Sequence, residues 1–259
     1  MRDFVGDFLR EAMPPDYSLH GPELDRLSIY VHWLMLILFV GWGILFVYML
    51  VRFRASKHPK AVYHGTKSHI SKYAEIGVFV IECLLLFGIS IPAWSRWTTR
   101  PDNDKNALEI RVVGEQFAWN IHYPGADHIF GKTNVKYVTS NNPLGLDPTD
   151  PNAKDDIATI NQLHLELNRA VLIRLTSKDV IHDFFLPYMR VKQDAIPGME
   201  IPVHFTPTHT SGTETWDIAC AQLCGLGHFR MRGQYHVETK QEFDKWMATQ
   251  TPAVASISE

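Results

Sequence analysis

Between positions 220 and 231 the chain reads Cys220-Ala-Gln222-Leu-Cys224-Gly-Leu-Gly-His228-Phe-Arg-Met231. Two thiols stand four apart, an imidazole follows four residues later, and a thioether comes three after that. Thiolate and thioether are soft donors that select copper or iron–sulfur, while imidazole suits copper, zinc, iron or nickel. A mononuclear blue-copper site needs one Cys, two His and a weak axial Met. The second Cys here suggests two metal ions bridged by two sulfurs.

Read alone, the run has four readings: a disulfide beside an incidental His, a zinc site, a copper-chaperone thiol pair, or a dinuclear copper centre. Zinc sites pair Cys-x₂₋₄-Cys with a second Cys/His pair and gain little from Met. The chaperone reading needs a thioredoxin-like βαβ pattern, and none is present. A disulfide explains neither His228 nor Met231. The chain has three cysteines, Cys83 being the third, too few for a disulfide framework.

These residues need a scaffold, and the pattern beyond Pro101 supplies one. Short β-rich runs of period two fall at Ala107–Tyr123, Gln162–Leu167, Ala170–Thr176, Glu200–Phe205, Thr213–Ile218 and Gly233–Val237. Turn pairs such as Pro124-Gly125, Pro197-Gly198 and Ser211-Gly212 punctuate them, as expected of an all-β sandwich or barrel. Residues 141–156, with four Asp, read as a solvated surface loop without calcium-loop spacing. A short helix is expected from about Lys240 to Thr249, then a disordered tail. Of the thirteen histidines, His122, His164, His204 and His236 read as surface or strand residues. The formal net charge of −3 and the absence of an Arg/Lys-rich groove give no nucleic-acid signal.

The first third of the chain is different. From Leu27 to Val51 there is no Asp, Glu, Lys or Arg, a run longer than the ~20 residues that cross a bilayer. A second apolar stretch runs from about Tyr73 to Trp94, closed by Pro92 and Trp94-Ser-Arg96-Trp97. Tyr30, Trp33, Tyr48, Trp94 and Trp97 sit near the expected interfaces. The first 26 residues mix acids and bases and lack the pattern of a secretory leader. The connecting loop, 52–72, holds Arg52, Arg54, Lys57, Lys60, Lys67 and Lys72 and no acid. By the positive-inside rule it is cytoplasmic, so both termini and the β domain lie outside. Glu75 falls at the cytoplasmic end of the second span. Glu82 lies deeper, where a carboxyl is costly and faces a partner helix or a polar path.

The whole constellation resembles cytochrome c oxidase subunit II of a bacterial-type haem–copper terminal oxidase. Two N-terminal spans, an external β domain, Ser177-Lys178-Asp179-Val-Ile-His182, Asp194-Ala-Ile-Pro-Gly198 and the 220–231 run all agree in order. The resemblance implies an all-β cupredoxin (Greek-key sandwich) domain preceded by a two-helix transmembrane hairpin. The expected organisation is an extracytoplasmic segment 1–26, a hairpin 27–97, a cupredoxin domain 98–250 and a tail 251–259. It further implies a dinuclear copper A centre bridged by Cys220 and Cys224, with His182 and His228 as terminal ligands. Met231 and the backbone carbonyl of Gln222 would be weak axial ligands, and Asp179 an orienter of His182.

The implied function is to accept electrons from a cytochrome c-type donor and pass them to haem in subunit I, which reduces oxygen and pumps protons. Other oxidase subunits and the bacterial inner membrane complete the expected surroundings. Glu75 matches the glutamate that the family places at the mouth of a proton channel. Three departures matter. Gln222 stands where many members carry a magnesium-binding Glu, which puts magnesium at the subunit I interface in doubt. Within Gly114-Glu-Gln-Phe117-Ala-Trp119, Phe117 replaces the family's first Trp, where electrons enter, so Phe117 or Trp119 must serve differently. Lys178 occupies a position often acidic in members that dock a soluble cytochrome c, which points to another donor, such as a cytochrome held in a supercomplex. No Cys-x-x-Cys-His occurs, so no fused haem c is expected. The alternatives are a copper-free structural or quinol-oxidase-type subunit II and the copper A domain of a nitrous oxide reductase-like protein.

Overall fold

The charge-free run from Leu27 lies inside one long helix. A computed structural model describes residues 4–60, 63–64, 69–98 and 106–257. Arg2, Lys67, the boundary at Pro101 and the last two residues lie outside that set. The chain forms a helical unit and a β unit.

The N-terminal helices are α1 (Phe4–Ala12), α2 (Gly21–Arg52), α3 (Ile70–Leu85) and α4 (Ile91–Thr98), with α2 in the helical unit from Glu23 onward. Leu86–Ser90 joins α3 to α4 as a single π-helical turn, so Ile70–Arg96 runs as a second helix long enough to span. The local cause is Pro92, which has no N–H to donate back into the preceding turn. Ser90 Oγ donates to Leu85 O at 3.1 Å there. The most apolar window of α2 is 0% buried against protein, as expected of a helix that crosses a membrane. Arg96 Nη1 lies 3.0 Å from Glu23 Oε1. That exposed pair adds at most about 1 kcal/mol, yet it brings the start of α2 and the end of α4 together, as an antiparallel hairpin requires.

The β unit is two five-stranded sheets packed face to face. Its strands are β1 (Leu108–Glu115), β2 (Ala118–Tyr123), β3 (Ile157–Ile160), β4 (Gln162–Glu166), β5 (Val171–Ser177), β6 (His182–Leu186), β7 (Val191–Ala195), β8 (Ile201–Phe205), β9 (Trp216–Cys220) and β10 (Arg232–Glu238). The sheet orders are β3-β2-β1-β5-β8 and β4-β10-β9-β6-β7. Alternation decides which face is buried: Leu108, Ile110 and Val112 of β1 and Val171, Ile173 and Leu175 of β5 point inward. Leu163, Leu165, Phe184, Ile218 and Tyr235 meet them from the second sheet. Each fully buried aliphatic contributes about 1.5–3 kcal/mol. Helix α5 (Lys240–Thr249) follows β10 and starts at a capping box, with Thr239 N donating to Glu242 Oε2 at 2.9 Å.

Several expectations are corrected. The run 107–123 is two antiparallel strands, not one. Strands β3, β6 and β7 are added, and β9 starts at Trp216. The tail carries α6 (Ala253–Ile257), and Ala253 is buried, its N–H on Asp156 O at 2.7 Å. The acidic loop is not solvated throughout. Asp150 and Asp156 are buried and accept backbone N–H groups, Lys132 N and Gly131 N, each at 2.8 Å. His122 and His164 lie on strands, as one of their two readings had it, and both are buried, with His122 Nε2 2.6 Å from Asp156 Oδ2.

The N-terminal segment is also more structured than expected. Pro14–Pro22 belongs to the β unit, so that unit does not begin cleanly at 98. Tyr17 N donates to Tyr188 O and Thr208 N to Tyr17 O, both at 2.8 Å. The Tyr17 ring stacks on Tyr188 and Trp216 at centroid distances of 5.8 and 5.1 Å.

Candidate metal centre

Three connections meet at one end of the sandwich. The β5–β6 loop brings Asp179 and delivers His182 as the first residue of β6. Strand β9 ends on Cys220, and the loop to β10 carries Gln222, Cys224, His228 and Met231. The β1–β2 turn, Gln116-Phe117, lies between them. Antiparallel pairing of Phe184 with Cys220 sets the His182 strand beside the Cys220 strand, 38 residues apart in sequence.

The donor atoms converge. Cys220 Sγ and Cys224 Sγ are 3.8 Å apart and both cysteines are free. Cys220 Sγ is 3.9 Å from His182 Nδ1 and 3.3 Å from Gln222 O. Cys224 Sγ is 3.6 Å from His228 Nδ1 and 3.8 Å from Met231 Sδ. The ligand atoms of His182, Cys220 and Cys224 lie within 4.8 Å of one another, the one such group found among the described residues. A metal–thiolate bond is about 2.3 Å, so sulfurs 3.8 Å apart can both touch a single ion. Two thiolates, two imidazoles and a thioether form a donor set that fits copper.

The surroundings prepare that set. His182 is fully buried and its Nε2 is 2.8 Å from Asp179 Oδ1. A Cβ at Gly114 would come within 2.9 Å of the His182 ring, so glycine there lets the imidazole seat on β1. Burial opposes a charge on His182, but hydrogen bonds to Cys220 and Asp179 outweigh it and raise its pKa. For Asp179 burial is likewise overcome, by hydrogen bonds from His182, Gln116 N and Val180 N, and its pKa falls. Burial alone would raise the Cys220 thiol, yet hydrogen bonding to His182 and the neighbouring backbone lowers it to about 6. Burial and the adjacent Cys220 push Cys224 up to about 11. The two thiols are thus pushed in opposite directions, Cys220 towards its thiolate and Cys224 towards its thiol.

The other singled-out residues are more scattered. Trp119 is fully buried, its ring edge-on to His182 at 6.0 Å and to Phe184 at 5.2 Å. It has no surface to offer a donor. Phe117 is half-buried against the 225–227 backbone. Lys178 is ion-paired with Glu115, which neutralises the unexpected charge. Glu75 and Glu82 lie on α3, both exposed. Gln116 escaped the sequence reading: it contacts both ligand-bearing loops, and only its place within the Gly114–Trp119 stretch pointed to it.

A family model described as cytochrome C oxidase subunit II, periplasmic domain, matches residues 108–235. The alternative cytochrome c oxidase subunit 2 of Bradyrhizobium diazoefficiens is 30% identical over 228 residues, covering 87% of this chain and 79% of the relative. The chain belongs to the cytochrome c oxidase subunit II family. A probable cytochrome c oxidase subunit 2 of Rickettsia bellii is 28% identical over 96% of this chain and 89% of its own length. Among solved structures, the periplasmic domain of subunit II (CoxB) of Bradyrhizobium japonicum is 27% identical. It covers 59% of this chain and 95% of that one, with a TM-score of 0.40. As a subunit II, this chain is part of a haem–copper oxidoreductase complex. Its β unit is a cupredoxin-like sandwich, and its two apolar helices fit a membrane-anchored subunit.

Proposed function

We propose that this subunit II is the electron-accepting subunit of its oxidase. It takes electrons singly from a cytochrome c-type donor and passes them to haem in subunit I, where oxygen is reduced with proton pumping. The observation that carries the reading is the convergence of Cys220, Cys224, His182, His228 and Met231 at one end of the sandwich. Two copper ions bound there would supply a one-electron carrier. The chain's own residues would do the rest. Cys220 and Cys224 would hold the ions through their thiolates, His182 and His228 through their imidazoles, and Met231 and Gln222 O as weaker donors. Asp179 would hold the His182 ring so that little moves between redox states, because orienting hydrogen bonds fix ligand geometry.

Trp119, without exposed surface, would serve as packing beside His182, leaving Phe117 nearer the route from a docked donor. Glu75 would stand at the mouth of a proton channel in subunit I. Gln222 offers a neutral side chain where magnesium favours carboxylates, so this chain would contribute little to such a site. The basic loop 52–72 would face the cytoplasm, with the hairpin 27–97 spanning the inner membrane and the cupredoxin unit outside.

Electron paramagnetic resonance of the full chain in detergent after copper loading tests the reading. A mixed-valence two-copper signal is expected. A single-copper spectrum would overturn the two-copper reading, and an inability to bind copper would favour a structural, copper-free subunit.

A further inference from the structure

The loop that carries Cys224, His228 and Met231 is held to the sandwich at few points: Cys224 and Met231 are buried in the core, and Ala221 N donates to Asp183 O at 3.1 Å. Residues 221–231 form one short turn, with His228 N on Gly225 O at 3.1 Å and Arg230 N on Gly227 O at 3.0 Å. Three of its largest side chains, Leu223, Leu226 and Phe229, are 76%, 97% and 87% exposed, so they hold nothing against the core. Between those anchors the loop leans on neighbouring residues.

Gln116 supplies one such contact. Its side-chain Nε2 donates to Cys224 O at 2.6 Å, across 108 residues of sequence. Its backbone N donates to Asp179 Oδ2 at 2.8 Å, and the other oxygen of that carboxylate holds His182 Nε2 at 2.8 Å. One residue is thus tied to the backbone of a thiolate donor and, through a single carboxylate, to an imidazole donor on a different loop. The neighbouring Phe117 reinforces the seat. A Cβ at Gly227 would come within 2.4 Å of the Phe117 ring, so glycine lets the loop lie directly on it just before His228.

We propose that Gln116 is a positioning residue that fixes the spacing between the His182 imidazole and the Cys224 loop, and so sets the affinity and reduction potential of the copper centre. The proposal rests on the copper reading above. The backbone half of the link survives any substitution at 116, whereas the side-chain half needs an N–H at glutamine's length. Gln116→Ala removes it. Gln116→Glu keeps the shape but turns a carboxylate oxygen towards the Cys224 carbonyl oxygen, which repels it. Asparagine, one methylene shorter, falls short of Cys224 O.

The test uses the full detergent-solubilised chain in two arms. In the copper-loaded arm, chelator competition, potentiometry and copper hyperfine structure are compared for wild type, Gln116→Ala and Gln116→Glu. Copper affinity should fall about 10-fold or more, as for lost outer hydrogen bonds at other metal sites, with a shifted potential and altered hyperfine pattern. The thermal midpoint of the metal-free chain should stay unchanged. Affinity, potential and hyperfine pattern all equal to wild type would overturn the proposal. In the metal-free, reduced arm, alkylation of Cys224 is followed by peptide mass, with Cys83 as internal control. Faster alkylation of Cys224 in both variants supports the positioning role, and equal rates overturn it. A wild-type chain that takes up no copper would sink the copper reading alone, and the alkylation arm would still decide whether Gln116 holds the loop.

Discussion

His182 Nε2 lies 2.8 Å from Asp179 Oδ1 while Nδ1 of the same ring faces Cys220 Sγ at 3.9 Å. An ionised carboxylate only accepts hydrogen bonds, so Nε2 carries the proton and the Nδ1 lone pair is left for a metal. The tautomer of a buried ring is therefore fixed by a residue three positions earlier.

Replacing Asp179 by Ala releases that ring. Copper affinity should drop 10- to 100-fold, the range typical of lost second hydrogen bonds on metal-bound His. Competition with a chelator of known affinity would measure it. Affinity unchanged from wild type would mean that packing against Gly114 alone orients His182.

Met231 is buried with its sulfur 3.8 Å from Cys224 Sγ. Met231→Leu conserves volume and should cost under about 1.5 kcal/mol of stability, yet it removes the thioether. The reduction potential should shift while the melting temperature barely moves. The reverse pattern, a destabilised fold with an unaltered potential, would assign Met231 to packing.

His20, in the Pro14–Pro22 segment, is buried, and burial lowers its pKa from 6.5 to about 4. The unfolded chain therefore takes up a proton before the folded one does. Stability is complete above about pH 6.5 and falls as pH drops towards 4, by up to about 3 kcal/mol at the acid limit. His20→Gln should flatten this part of the pH profile, read by urea unfolding of the full chain at a series of pH values. An identical slope in the variant would place the acid sensitivity elsewhere.

Asp156 accepts from Gly131 N and pairs with His122, all buried. Asp156→Ala strands both partners, and an unmet buried polar group costs about 1–3 kcal/mol. A loss of about 2–4 kcal/mol in urea unfolding is expected, with copper binding at the other end of the strands unaffected. A near-neutral result would mean that water replaces the carboxylate.

What could be read from the sequence followed from local pattern. Alternation marks Val171–Ser177 and Arg232–Glu238 well, and Thr239 with Glu242 marks the start of α5. Strands β6 and β7 escaped because His182-Asp-Phe-Phe-Leu breaks the alternation and Val191-Lys-Gln-Asp-Ala has apolar residues only at its ends. They are strands because the sheet pairs His182 with Ala195 and Phe184 with Cys220. Cys220, Cys224, His228 and Met231 announce themselves by spacing, and His182 through its resemblance to a family. Gln116 does not. Its role depends on contacts 63 and 108 residues away, and no window of local sequence contains them. Asp156 escaped for the same reason, since a polar residue in a loop reads as solvated until its partner is known, and His122 reads as a surface or strand residue without its buried partner.

Membrane topology is the remaining expectation that charge alone predicts. The loop 52–72 carries six Lys and Arg and no acid, and such loops stay cytoplasmic. The Arg96–Glu23 pair places the far ends of both spans on one side, so a single orientation fixes both. Two variants, Ser56→Cys and Thr251→Cys, treated in spheroplasts with a membrane-impermeant maleimide, would distinguish the sides. Peptide mass separates the new sites from Cys220 and Cys224. Residue 251 should label in intact spheroplasts, and residue 56 only after permeabilisation. Labelling of residue 56 from outside would invert the hairpin and put the thiolate end of the sandwich in the cytoplasm, where no periplasmic cytochrome could reach it.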